Sequence, residues 1–307
     1  MEILKEPTKF DFLGWRWVFI LVTTALLAMT AYLWFGTGDE KFGVDFRGGT
    51  EIVARFNADT KASDIRNGFE EAGFKEVIVQ AFENGLRDFS VRLSQDQSSE
   101  EAKAKVKAVL EKAQPAGYTL LKEDYVGPII GDQIRRDAYI AIFLSIIAIL
   151  IYVGSRFEWE YGVGGIVALI HDVVIAIGFC LLTGVQLSAG ILAAMLTIVG
   201  YSINDTIVIY DRIRENVAKH NKAKKKVQEP TNAELTEIMN RSMNETLSRT
   251  ILTSLTAFFS VTTLWVFGGG AVVDMAFALM VGVVVGCYST IFIACPTVLF
   301  CRKLQGK

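Results

Sequence analysis

Apolar runs constrain this sequence more than any other feature. A membrane-spanning helix needs roughly 20 predominantly apolar residues. Six stretches meet that need, at about 15 to 36, 137 to 154, 162 to 184, 187 to 210, 250 to 268 and 271 to 300. Six crossings return both termini to the same side. The chain is 51% hydrophobic yet 21% charged, too apolar for an ordinary soluble protein and too charged to lie wholly in lipid. The expected fold class is therefore a polytopic α-helical membrane protein with six transmembrane helices and a small α+β domain in water between helices 1 and 2. A formal net charge of −2 argues against nucleic acid as a partner, because neutralising phosphates needs a basic excess. Cys180, Cys287, Cys295 and Cys301 all lie in or beside apolar runs, without zinc spacing or a disulfide framework.

The first run is long, carries Trp15 and Trp17 at one end and Trp34 at the other, and lacks a small-residue cleavage site, so it reads as an uncleaved anchor. Trp159 and Trp265 also fall near span ends, where amphipathic rings meet water. Basic residues set the orientation. Lys5, Lys9 and Arg16, the loop 211 to 249 (Arg212, Arg214, Lys219, Lys222, Lys224, Lys225, Lys226, Arg241, Arg249), and Arg302, Lys303 and Lys307 mark cytoplasmic segments. The turns at 184 to 187 and 268 to 271 carry no basic residue and belong outside. Arg135 and Arg136 oppose this, but they follow a domain of nearly 100 residues, and large domains cross largely regardless of charge. The division is 1–37, N-terminus and first helix; 38–134, extracytoplasmic domain; and 135–307, five further helices.

Within 38–134, "FGVDFRGGTEIVARF", "EVIVQAF", "RDFSVRL" and "TLLKEDYVGPII" read as strands. Between them Ile65, Phe69 and Ala72, then Ala102, Val106, Val109, Leu110 and Ala113, recur at helical spacing. The order β-α-β-β-α-β is a ferredoxin-like split motif. Gly48 and Gly49 are expected to form a tight turn within a hairpin, where glycine accepts the positive φ. No helix follows them, so they do not make a phosphate loop. Pro128, between Gly127 and Gly131, predicts a helix break that serves either as a hinge or as an ordinary connector.

The apolar runs also contain charges. In the third run Gly164, Ala168, Asp172, Ala176, Cys180 and Gly184 recur every four residues, which puts Asp172 on a small-residue stripe facing protein. Ala278, Gly282, Gly286 and Thr290 repeat the device in the last run. In the fourth, Tyr201, Ser202 and Asp205 share a face, with Thr197 one turn away. A carboxylate at the bilayer centre costs about 2.5 to 3.5 kcal/mol on insertion scales, so Asp205 must be neutral, paired or in a wet cavity. Arg249, at the mouth of the fifth run, is the candidate cation. Two readings stay open: a proton carrier alternating between surroundings, or a static buried Asp–Arg or Asp–His pair. No nucleophile elbow, phosphate loop or metal-binding helix is present, and His171 and His220 are too far apart in sequence and setting to make a metal site. The run "KAKKKVQEP" reads as a solvated loop, with anionic lipid as a secondary contact.

"FGVDFRGGTEI", "VGP" with a following glycine, "ALIHDVVIAIG", "VGYSINDTIVIYDRIREN" and "TLSRTILTS" resemble, in that order, motifs of the SecF family, the smaller membrane subunits of SecD–SecF protein-export complexes in the resistance-nodulation-division superfamily. The resemblance implies a bacterial inner-membrane protein, not an enzyme and without cofactor, with the proton as coupling ion. It implies SecD, the SecYEG channel, YajC, exported unfolded polypeptide and membrane lipid as partners. It also implies that Asp205 is the fourth-helix carboxylate of a proton path, with Arg249 its partner, whereas the stripe that carries Asp172 suggests packing or a secondary relay there. The short external domain fits SecF rather than SecD, and "KHNKAKKKVQEP" is an insertion relative to the family pattern. A non-conducting translocon subunit, or an exporter of lipids or small molecules, are the alternatives.

Overall fold

The computed structural model describes residues 8–74, 77–81, 87–93, 100–224, 229–269 and 271–306. Lys5, Glu76, Phe82, Lys225, Lys226, Lys307 and the side chain of Ala102, all used above, lie outside the described residues. Among those described, six helices are long and apolar enough to cross a membrane: Arg16–Gly36, Ile129–Arg156, Trp159–Leu182, Ala189–Lys224, Asn232–Phe267 and Val272–Leu304. They belong to α1 (Arg16–Gly36), α5 (Pro128–Arg156), α6 (Trp159–Leu182), α7 (Ala189–Lys224), α8 (Asn232–Phe267) and the last span, where α9 (Ala271–Ser289) runs through a π turn into α10 (Cys295–Leu304). The π turn, Thr290–Ala294, sits just before Pro296, whose missing N–H cannot continue the regular ladder.

The α+β domain lies between α1 and α5. Strands β1 (Gly49–Phe56), β2 (Val77–Ala81), β3 (Asp88–Leu93) and β4 (Tyr118–Val126) form an antiparallel sheet in the order β2-β3-β1-β4. Helices α3 (Ala62–Glu71) and α4 (Glu100–Ala113) cover one face. Strand alternation sends Ile52, Ala54, Phe56, Phe89 and Val91 towards Ile65, Phe69, Val109 and Leu110 to make the core. The opposite face carries Glu51, Ser90 and Arg92. The predicted β-α-β-β-α-β order is the one observed.

Three local expectations are corrected. Gly48 and Gly49 have positive φ (76° and 127°) but do not close a hairpin. They end a single helical turn, α2 (Val44–Arg47), and lead into β1, because the amide of Gly48 bonds back to the Val44 carbonyl. Pro128 does not break a helix; it opens α5 at the first turn, where its missing N–H has no intrahelical partner to lose. Gly131 is set by packing, since a Cβ there would come within 3.0 Å of the Gly48 nitrogen. Finally, residues 211–249 are mostly not a loop. Helix α7 continues to Lys224 and α8 begins at Asn232, under a capping box made by Thr231 and Glu234.

These extensions pack against the segment ahead of α1. Asn244 accepts from the Phe10 amide at 2.9 Å, and Asn240 accepts from the Leu13 amide at 3.1 Å. Both described termini and the α7–α8 extensions therefore lie at the bundle end away from the α+β domain. At the domain end, the connector between α6 and α7 is strapped to the domain's neck. Gly43 and Leu187 are joined by an N–H···O bond of 2.8 Å, Leu187 donates to Lys41, and Asp45 accepts from the Ala189 amide.

Candidate functional site

Close packing of α6, α7 and α9 around small residues creates the setting. Ala168, Asp172, Ala176 and Cys180 are fully buried on α6. A Cβ on Gly164 would meet the Tyr210 hydroxyl at 2.6 Å and the Ala294 carbonyl of the π turn at 2.7 Å. On α9, a Cβ on Gly282 would strike Ile198 at 2.2 Å, and one on Gly286 would press Ser202 at 3.2 Å. Both stripes are thus packing seams within this chain. They allow short polar side chains from three helices to meet.

Asp172 is 0% exposed and its carboxylate is saturated. One oxygen meets His171 Nδ1 at 2.9 Å; the other accepts from Ser202 at 2.5 Å and from Ser289 at 2.8 Å. His171 Nε2 lies 3.4 Å from the Thr23 hydroxyl on α1, and Thr23 also bonds Tyr288. The network ties α1, α6, α7 and α9 together. Thr206 and Thr290 make a further α7–α9 contact at 3.1 Å.

Asp205, one turn along α7, is buried differently. It is 4% exposed, and its Oδ2 has no hydrogen-bond partner among the described residues. Ser254 of α8 stands beside it, and Arg249 is close enough to act on it electrostatically. Tyr201 donates to Ser254 at 3.4 Å. Arg249 is exposed and forms no ion pair among the described residues. The static Asp205–Arg249 pair weighed from the sequence is therefore not formed here. The buried Asp–His pair is, at Asp172.

The predicted polar track divides. Tyr201 and Asp205 turn to α8, whereas Ser202 turns to Asp172, and Thr197 only bonds back to the Ala193 carbonyl. Sequence reasoning assigned no role to Ser289, Thr23, Tyr288 or Ser254. Ser254 was within reach, because it closes the quoted stretch "TLSRTILTS". Among the described residues no cluster of three or more His, Cys, Asp or Glu side chains could hold a metal.

A second charged cluster links the α+β domain to the bundle. Arg92 on β3 meets Glu51 on β1 at 2.7 Å and Asp274 in the first turn of α9 at 3.8 Å, all three side chains being mostly buried. Ser90 and Lys122 also bond Glu51, at 3.0 and 3.3 Å. Burial pushes the Glu51 carboxyl up, but Arg92 and Lys122 outweigh it and hold it below the usual carboxylate range.

A six-span bundle with buried carboxylates at helix seams, carrying a ferredoxin-like domain between its first two spans, defines a multi-pass membrane protein of the transport class. Comparison narrows the class. Residues 105–304 match the family described as protein export membrane protein SecD/SecF, C-terminal. The protein translocase subunit SecF of Rickettsia akari is 37% identical over 313 residues, covering 100% of this chain and 97% of that one. Its counterpart from Calditerrivibrio nitroreducens is 36% identical over 310 residues, with 100% and 99% covered. The crystal structure of SecDF, a translocon-associated membrane protein from Thermus thermophilus, superimposes with a TM-score of 0.85 at 36% identity. The match covers 99% of this chain and 40% of that one, so the chain spans well under half of SecDF. SecDF in a super-membrane-facing form gives 0.68 at 35% identity, again covering 99% and 40%. The chain belongs to the SecD/SecF family of protein-export membrane proteins, as a SecF subunit of the SecD–SecF complex.

Proposed function

We propose that this subunit, with SecD, uses the proton-motive force to promote late steps of export of unfolded polypeptides through SecYEG, with YajC as an accessory partner. The proton is the coupling ion, no other cofactor takes part, and the chain catalyses no covalent step. The proposed setting is the bacterial inner membrane, with 1–37 and 135–307 forming the membrane part, both termini cytoplasmic, and 38–134 outside.

One observation carries this reading: Asp205 holds a buried carboxylate oxygen with no partner among the described residues, near the cation of Arg249, which is not bound to it. Ser254 serves the carboxylate while Oδ2 stays open among the described residues, so an approaching Arg249 has an acceptor left to complete. Alternation of Arg249, Ser254 and Tyr201 about Asp205 therefore loads and releases a proton. Each charge crossing the membrane releases about 2.3 kcal/mol per 100 mV. That energy suits rearrangement of a small interface. The Arg92–Asp274 contact and the neck at residues 41–48 are the interfaces through which α9 and the α6–α7 connector would move the domain. Gly127, the only residue between β4 and α5, is the place for that motion to bend.

A second reading, a non-conducting structural subunit, draws on the buried Asp172–His171 network, in which both carboxylate oxygens tie helices together. Reconstituting the SecD–SecF complex in proteoliposomes with an internal pH dye separates the two. Proton entry that depends on Asp205 and accompanies export supports the motor. Export that persists with no proton entry supports the structural subunit.

A further inference from the structure

Helix α5 touches the bundle at two places. Ala138 near its domain end and Val153 near its other end are buried, while nearly every residue between them is half-buried or exposed. At 1.5 Å per residue these anchor points stand about 22 Å apart. The space between α5 and the α6–α7 pair is an apolar groove of about 390 Å³, walled by side chains such as Ile146, Ile149, Ile170 and Leu196. The lining calls for an apolar occupant.

Its polar end is also specified. Among the described residues that line the groove, the one cation, Arg135, is at the domain end. Arg135 lines it; it also pairs with Asp132 at 2.7 Å, which leaves further guanidinium donors. Lys41 sits over the Trp34 ring, 4.5 Å from its centroid, and 5.4 Å from that of Phe42; both rings line the groove. Lys41 donates to the Trp34 carbonyl and forms no ion pair among the described residues. Two cations and an indole at one end of an apolar slot match a headgroup phosphate above an acyl chain.

We propose that this groove is a phospholipid site, with one acyl chain lying along α5 between Ala138 and Val153 and the phosphate held by Lys41 and Arg135. The lipid completes the contact of α5 with the bundle and stays with the protein, unlike the exchanging lipid of the surrounding bilayer. The site is independent of proton conduction.

Trp34 reports occupancy directly. The full chain in complex with SecD is placed in nanodiscs containing increasing fractions of phosphatidylglycerol brominated along its acyl chains, and in a parallel set brominated diacylglycerol. The Trp34 signal is isolated as the difference between wild type and Trp34→Phe. Quenching is expected to saturate at a brominated fraction several-fold lower for phosphatidylglycerol than for diacylglycerol. The Lys41→Gln/Arg135→Gln double variant should abolish that preference while leaving circular dichroism unchanged. Quenching that rises in proportion to lipid fraction, as at the exposed Trp17, would mean ordinary boundary lipid and overturn the site. Absence of quenching would mean that protein fills the groove, and would overturn it equally.

Discussion

Asp172 and Asp205 lie on adjacent helices, both buried, yet they are opposite in construction. Asp172 accepts from two serines and meets His171, so both its oxygens are engaged, whereas Asp205 keeps one oxygen without a partner among the described residues while Arg249 stays exposed. A network whose members are all engaged resists rearrangement, because any altered member leaves another unsatisfied in a low-dielectric interior. An unsaturated carboxylate has no such lock. The difference teaches that depth in a membrane does not by itself decide how a carboxylate is held; that is decided by which neighbouring helices bring it donors.

The largest effect expected from this contrast is at Asp205. Asp205→Asn keeps the shape and polarity but cannot carry a proton, so gradient-stimulated export and proton entry should fall to background while the complex with SecD still assembles. Normal flux in that variant would dissolve the distinction between the two sites. Asp172→Ala should do the reverse, removing the partner of Ser202, Ser289 and His171 and costing about 1–3 kcal/mol for each buried polar group left unsatisfied. Denaturant or thermal unfolding of the purified complex checks this; unchanged stability with lost flux would exchange the two roles.

Glu51 extends the comparison to a partly buried carboxylate outside the membrane. Its folded pKa is depressed, so its contribution to stability is fully present above the unfolded value of about 4.3 and is lost as pH falls through the lower folded value. The thermal midpoint of the α+β domain should be insensitive to this group between about pH 7 and 5 and should drop below about pH 4. Glu51→Gln should flatten that acid limb, and an unchanged limb would assign it to other carboxylates. The smallest effect belongs to Ser202→Ala, which removes one donor of two to Asp172 and should cost about 1–2 kcal/mol without altering flux. A flux defect there would show that the two carboxylates communicate through α7.

Much of this was legible in the residues. Run length located the six spans, and tryptophans marked their ends: Trp159 is the first residue of α6, and Trp265 stands two residues before the end of α8. Four-residue spacing of Gly and Ala revealed both packing seams before their partners were known. The helical extensions of α7 and α8 were missed because hydropathy reports where lipid ends, not where a helix ends. Beyond Tyr210 the helix continues on ion pairs such as Arg212–Glu245 at 2.6 Å, which no apolar run signals. Pro128 misled for a related reason: a proline at the first turn of a helix and one at a break look alike in sequence.

The sequence alone determined that the chain crosses a membrane six times, holds a split β-α-β domain, and buries carboxylates on faces that pack against protein. These follow from local periodicity and from the high cost of exposing charge to hydrocarbon, both of which act along the chain. Only the tertiary structure decided which carboxylate is satisfied. Ser202 and Asp205 are three residues apart and share a helical face, yet Ser202 serves Asp172, because Gly286 lets α9 approach and bring Ser289 alongside. Hydrogen bonds are resolved at tenths of an ångström between helices distant in sequence, and no pattern within one helix can assign them.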